Sequence, residues 1–496
     1  MSAYDLVIRG ADVYDGTGAP PVSADLAVAD GRIAALGALE PARVAGAPLL
    51  DGRGLALAPG FVDVHTHHDF AVLLHPEMGF EVQGGVTTVV VGNCGFGAAP
   101  HPVARAMAAA FHPDPQLPAW DGYAGYLARL DGSPPSCNVA ALVGHGTVRA
   151  AAMGGVARAP EAGEFEAMRG LVREGVEAGC FGFSTGLLYE PGRHARSDEI
   201  AALAAEFAGR GGLYATHLRD EGAGLLDSVR EAIGIGEQAG VPVQISHHKA
   251  AGRAAWGLVR ESLALIEAAR ARGVDVMADQ YPYTAGSTVR AAALSFFEDE
   301  RGGIGRGDPA DVVIASAPGH PEWEGCSVAD LAAGWGVPPR DAARRVLDAE
   351  GAGCTVTLHM MAEEDVRTVL CHPTTMIGSD GLPTLRGKPH PRLYGTFARV
   401  LGHYARDLGL LSLAEAVHRM TGLSARRFGL VDRGVLRPGA WADLVLFDPA
   451  RIADVATYTD PRHPPAGIAG VWVNGVPVVR DGAHTGARPG RALRRV

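Results

Sequence analysis

The segment FVDVHTHH, residues 61–68, is a short apolar run that ends in His65 and His67, two positions apart. In a β-strand, residues two apart point to the same face. The two imidazoles are therefore expected to leave the strand end side by side, as a metal pair requires. Pro59-Gly60 marks a turn, so the strand starts cleanly. Seven further apolar runs follow: VTTVVVG (86–92), NVAALVG (138–144), CFGFSTG (180–186), GLYATH (212–217), VPVQISH (241–247), VDVMADQ (274–280) and TTMIGSD (374–380). Helical stretches such as EFEAMRGLVREGVEAG and DEIAALAAEFAGRGG lie between them. Eight apolar strands with helical crossovers predict an α/β fold, a parallel sheet closed as a (β/α)8 TIM-like barrel. Residues 60–432 are assigned to this barrel.

The regular spacing breaks once, where about 90 residues separate the seventh run from the eighth. That gap holds the turn-rich GGIGRGDPADVV followed by helical material, and it is read as a lid-like insertion over roughly 285–350. Both chain ends have a different texture. YDLVIRGADVYDGTG, ADLAVADGRIAALG and PLLDGRGLALAPG at one end, and ADLVLFDP and GVWVNGVPVVRDG at the other, are short strands punctuated by Gly and Asp. Asn474-Gly475 is a type I′ hairpin signal. Neither end buries a core well by itself, so residues 1–59 and 433–496 are expected to pair into one small β-sandwich domain.

Composition narrows the function classes. At 496 residues, 47% hydrophobic and 20% charged, the chain is globular. A net charge of -11 argues against nucleic-acid and anionic-membrane partners. No apolar stretch has the length of a membrane span, and MSAYDLVIRG lacks the basic and apolar regions of a secretory signal. Six scattered Cys do not form a disulfide framework. The expectation is a cytoplasmic enzyme with reduced thiols acting on a small molecule, with homo-oligomer formation left open. Of 44 basic residues only Lys249 and Lys388 are lysines, so each merits scrutiny.

Candidate metal ligands recur at the C-terminal ends of the strand runs, the face where barrel active sites lie. They are His65 and His67, Cys94 in VVVGNCGFG, His217 in ATHLRDE, His247 in ISHHKAAG and Asp380 in MIGSDG. Singly, a strand-end His is more often a satisfied core group, and a free Cys is usually just buried. Six on one face point to a metal centre, and imidazoles with a thiolate and a carboxylate suit Zn2+.

PGFVDVHTH, VVVGNCGFG, STGLLYEPG, THLRDEG, ISHHKAAG, DQYPYTAGST, IGSDG, PHPRLYGTF and ADLVLFDP together resemble the N-acyl-D-amino-acid deacylases (D-aminoacylases) of the metal-dependent amidohydrolase superfamily. The resemblance runs over nearly the whole chain. It implies hydrolysis of N-acyl-D-amino acids to a carboxylate and a free D-amino acid. It also implies that Cys94, His217 and His247 hold a tight zinc, while His65, His67 and Asp380 line a second position, weakly filled or empty. Many related binuclear enzymes bridge their metals with a carboxylated lysine on strand four, but CFGFSTGLLYEPGRH has none, and in the resembling family a cysteine bridges. His68 stands where that family has an acidic residue.

Asp380 is the expected general base, taking a proton from water and delivering it to the departing amine. A substrate carboxylate needs a cationic clamp, for which Arg392 in PHPR is suited, with Lys249 the second candidate. Tyr281 or Tyr283, and Ser287, would complete it with hydroxyls. His145 reads as structural. The apolar TVRAAALSFF predicts a preference for hydrophobic side chains, unless Arg290 turns inward and selects an acidic one. Three alternatives stay open: a hydantoinase-like cyclic-amide hydrolase, against which the missing strand-four lysine argues, a D-dipeptide hydrolase, and an N-acyl-D-glutamate or N-acyl-D-aspartate deacylase. A catalytically dead barrel is disfavoured, because no ligand position is lost.

Overall fold

The computed structural model describes residues 3–109, 117–289 and 308–495. Eight barrel strands run in chain order: β1 (Phe61–Asp63), β2 (Val86–Val91), β3 (Asn138–Ala141, continued by Val143–Gly144), β4 (Gly182–Gly186), β5 (Leu213–His217), β6 (Val243–Ile245), β7 (Val276–Gln280) and β8 (Thr375–Ile377). Each pairs in parallel with its chain neighbour. The ring closes between β1 and β8, where the Asp380 N–H donates to the His65 carbonyl at 2.8 Å and the His67 N–H to the Gly381 carbonyl at 3.2 Å. The fold expected from the strand runs is the one observed.

The apolar runs are continuous because each strand buries both faces. Val62, Val90, Ala140, Leu213, Ala215, Met277 and Met376 pack in one cluster, closed from below by Leu423 and Phe428. Their neighbours Phe61, Val89, Val91, Val139, Tyr214, Val276, Ala278 and Ile377 join the larger cluster under the helices. The alternation is the period of two that a pleated strand imposes. The helical stretches between strands form Ala162–Ala178 and Ser197–Ala204. Regular strand is shorter than the sequence runs: β1 ends at Asp63, before either histidine.

The chain ends form one nine-stranded sheet, joined where Leu444–Phe447 runs antiparallel to Ala56–Pro59. Leu444 and Leu446 point into a cluster with Ile8, Leu26, Val28, Leu57 and Trp472, while Val445 and Phe447 join the barrel-side cluster. The sheet thus packs its own core on one face and the barrel on the other. Asn474 and Gly475 turn the hairpin between Ile468–Val473 and Val476–Arg480 with φ of 50° and 81°, as a type I′ turn requires. Only a glycine fits at 60, between Pro59 and β1, because a Cβ there would meet Thr87 at 2.1 Å.

Between β7 and β8 the sequence reading expected helical material. The structure has helices Val328–Trp335 and Pro339–Glu350, but also an antiparallel sheet of Ala285–Val289, Thr355–His359 and Val312–Ser316. Arg290 and the following apolar residues of TVRAAALSFF lie outside the described residues.

Candidate active site

His217 lies on the same face of β5 as Leu213 and Ala215, and Asp279 on the same face of β7 as Met277. Strand parity therefore carries both to the top of the barrel interior. His65 and His67 arrive differently. Beyond β1 the Asp63 carboxylate accepts the His65 N–H at 3.1 Å and the Ser379 N–H at 2.9 Å. This turns the chain out of the strand, and the two rings end 5.7 Å apart, edge to face. The imidazole pair exists, but a carboxylate-held bend produces it, rather than strand alternation.

Three site residues sit in the left-handed region, Cys94 at φ 54°, His247 at 36° and Asp380 at 52°. Such backbone costs on the order of 1–3 kcal/mol per residue and concentrates at functional sites. The conformations bring the donors together. Cys94 Sγ lies 3.3 Å from His65 Nε2, 3.5 Å from His247 Nε2 and 3.8 Å from His217 Nδ1. Three overlapping sets of donor atoms result, each lying within 4.8 Å: Cys94 with His217 and His247, Cys94 with His65 and His67, and His65 with His247 and Asp380. Cys94 belongs to two of the sets, so the thiol stands between two adjacent positions. A thiol with imidazoles fits a borderline-soft divalent cation.

Electrostatics agree with that fit. Burial pushes the Cys94 thiol up to about 11, so only a coordinating cation favours thiolate at neutral pH. Burial holds His217 and His247 well below the usual histidine value, with Lys249 adding to the effect at His247. Both rings are neutral and offer a lone pair. Against its burial, Asp380 is held well below the carboxylate range chiefly by the Arg392 guanidinium, with the hydrogen bond from His67 adding to it. It is ionised at neutral pH, with Oδ1 at 3.1 Å from His67 Nε2 and Oδ2 at 2.9 Å from Arg392 Nη1.

Two carboxylates that sequence reading passed over brace the donors. Asp279 Oδ1 lies 3.1 Å from His65 Nδ1, while Glu221 Oε1 lies 3.1 Å from His247 Nδ1, a nitrogen that Lys249 Nζ also meets at 2.8 Å. Asp279 also accepts the His247 N–H at 2.8 Å. Carboxylates at the far nitrogens of metal-binding histidines fix tautomer and orientation. A signal was present for both: Glu221 is four residues past His217, and Asp279 ends β7 on its inward face.

The substrate candidates separate. Lys249, Tyr281 and Ser287 line one cavity with His67, His217, His247 and Asp380, partly open to solvent. Lys249 Nζ donates to Glu221 Oε1 at 2.5 Å and to the His247 carbonyl at 2.8 Å. Arg392 is buried behind the wall, stacked 4.4 Å over the Tyr281 ring and donating to the Ser287 carbonyl at 3.2 Å. The Tyr281 hydroxyl and Arg392 Nε are buried with no hydrogen-bond acceptor among the described residues. Tyr283 does not line this cavity; its hydroxyl meets Asp454 at 3.4 Å under Arg399. Of the two tyrosines only Tyr281 lines the cavity. His68 pairs with buried Glu81 at 2.6 Å, and His145 with Glu199 at 3.0 Å, a carboxylate that Arg149 shares. Lys388 caps the Glu324 carbonyl at 3.1 Å.

A barrel that gathers thiol, imidazole and carboxylate donors at its C-terminal mouth defines a metal-dependent hydrolase architecture. The model of the Amidohydrolase family matches residues 49–286 and 328–479, and the chain belongs to that family. It is 43% identical to the D-aminoacylase of Alcaligenes xylosoxydans xylosoxydans over 502 residues, 99% of this chain and 98% of the relative. Among solved structures it is similar to the N-acyl-D-glutamate deacylase of Bordetella bronchiseptica, complexed with zinc and a phosphonate mimic of the tetrahedral intermediate. That match has a TM-score of 0.89 at 42% identity, over 99% of this chain and 100% of the other. A D-aminoacylase described by one-metal activation and second-metal attenuation of its binuclear centre matches at TM-score 0.88 and 40% identity, over 99% and 100% of the two chains.

Proposed function

We propose that this chain is a zinc-dependent N-acyl-D-amino-acid deacylase. The observation that carries the reading is the ionised Asp380, wedged between His67 and Arg392 at the edge of the Cys94, His217 and His247 donor set. The similarity to a D-aminoacylase and to a zinc-containing N-acyl-D-glutamate deacylase supports it.

Cys94, His217 and His247 would hold the tight zinc, and His65, His67 and Asp380 a second, weaker one. Bound zinc supplies a Lewis acid for the amide carbonyl and for the acidity of water, lowering a water pKa to about 7. Asp380 accepts the water proton and passes it to the nitrogen of the departing amine, which otherwise leaves as a poor anion. His67, bonded to Asp380, holds that carboxylate towards the reacting carbon. The Tyr281 hydroxyl is a buried donor in the cavity wall with no acceptor, and a substrate carboxylate supplies one, with the Arg392 guanidinium adding positive charge from behind the Tyr281 ring. Lys249 adds positive charge to the same wall, and Ser287 a hydroxyl.

Leu358, Met360 and Leu382 line the rest of the cavity and favour hydrophobic side chains. An acidic side chain is the second reading, favoured by the similarity to the N-acyl-D-glutamate deacylase. All six cysteines are free, which supports a reducing, cytoplasmic setting. No described helix is long and apolar enough to cross a membrane.

The test is amine release from matched N-acetyl-D- and N-acetyl-L-amino acids (Leu, Met, Phe, Glu), with zinc quantified in the same preparation. Turnover confined to the D series with at least one zinc per chain is expected. Turnover of hydantoins or D-dipeptides alone would replace the proposal with another hydrolase of the same superfamily.

A further inference from the structure

A second cavity adjoins the first. It is lined by Phe70, Phe96, Gly97, Ala104, Met107 and Ala108, with His67 and Asp69 as its polar members. His67 and Phe96 line both cavities. Phe96 stands as the partition, its ring edge-on to His67 at 5.9 Å and tilted against Tyr189, a wall of the first cavity, at 5.5 Å. The junction falls beside Asp380, through the 3.1 Å contact of His67 Nε2.

Amide geometry gives this arrangement a meaning. An amide is planar and trans, so the carbon chains on its two sides leave the reacting carbonyl in opposite directions. With the amino acid and its carboxylate against Lys249, Tyr281 and Ser287, the acyl chain must leave past His67. On that reading of the reaction, the geometry points to the Phe70–Met107 cavity as the acyl subsite, one that takes unbranched aliphatic acyl groups longer than acetyl. Its walls are the side chains of Phe70 and Phe96, the backbone of Gly97 and apolar side chains of the helix His101–Ala108. The wall has a fixed backing: Phe70 packs against Trp120 at 5.3 Å, and the Thr147 hydroxyl donates to Met107 Sδ at 3.4 Å. Apart from His67 and Asp69 the lining is apolar or glycine, so a chain that ends in its own carboxylate loses its hydration there while a neutral chain of equal length is accepted.

The test uses the zinc-loaded full chain and one D-amino acid with acetyl, butyryl, hexanoyl and succinyl groups. In the unaltered protein kcat/KM is expected to rise about fourfold per buried methylene from acetyl to butyryl, with succinyl at least tenfold below butyryl. Ala108→Phe narrows the cavity and should lower the hexanoyl-to-acetyl ratio of kcat/KM at least tenfold. Met107→Ala widens it and should raise that ratio, which keeps the test informative if one variant folds poorly. Acetyl turnover with no gain for longer chains, or an equal loss on every acyl group in both variants, overturns the subsite and leaves the deacylase reading standing. Absence of turnover on any N-acyl-D-amino acid, with zinc bound, overturns both.

Discussion

At the scale of single residues, the proposed function separates groups that would bind a cation from groups that would act on substrate. Asp380 belongs to one donor set but also carries Arg392 on its second oxygen. Replacing it by Asn keeps the shape and removes the base. Asp380→Asn is expected to lower kcat by at least about a thousandfold, since general base catalysis contributes roughly 10²–10⁴, while zinc content stays near that of the unaltered protein. Loss of zinc together with activity would make Asp380 chiefly a ligand. Asp279 touches no substrate cavity yet fixes both His65 Nδ1 and the His247 N–H. Asp279→Asn should weaken zinc binding by about 10–100-fold, read by competition with a chelating dye. Activity at saturating zinc should recover much further than for Asp380→Asn.

At the scale of elements, the barrel was legible because strands buried on both faces cannot hide: every position of Val86–Val91 is buried and apolar or Thr. The insertion and its helical material were legible too, but the sheet within it was not. Ala285–Val289, Val312–Ser316 and Thr355–His359 pair across long chain separations and carry mixed polar residues, so no local period announces them. Glu221 and Asp279 were missed for a related reason: a charged residue at a strand end looks like turn punctuation until the partner strand's histidine is beside it. The joint between β6 and its helix shows how burial at such ends shapes stability. His248 Nε2 bonds to Ser262 of the helix Val259–Ala271 at 2.8 Å, and burial with the nearby Lys249 lowers its pKa to about 4. The folded value lies below the unfolded value of about 6.5, so the unfolded chain binds this proton first as pH falls. The stabilisation is complete above about 6.5 and is lost towards pH 4, at about 1.4 kcal/mol per pH unit. The urea midpoint of the unaltered protein relative to His248→Asn should therefore fall between pH 6 and 5. A pH-independent difference would show that His248 is protonated in the fold.

At the scale of the whole molecule, the proposed metal centre is also a structural tie. Its donors come from the segments after β1, β2, β6 and β8 and from the end of β5, so one cluster joins the strand ends on both sides of the ring closure. In the cation-free fold, Cys94 is a protonated thiol and three site residues keep left-handed backbone with no bond to a cation to offset its cost. A cation that binds only the folded chain stabilises it by RT ln(1 + [L]/Kd), about 4.1 kcal/mol when free cation is a thousand times Kd. Chelation should therefore lower the melting temperature, and added zinc should restore it in a concentration-dependent way. Cys94→Ala removes the donor that two of the three sets share. Its melting temperature is expected to match that of the chelated protein and to respond little to either chelator or zinc. If Cys94→Ala retains both the tight zinc and the full thermal response, the thiol is not a ligand. The cation would then be held by the imidazole and carboxylate donors alone.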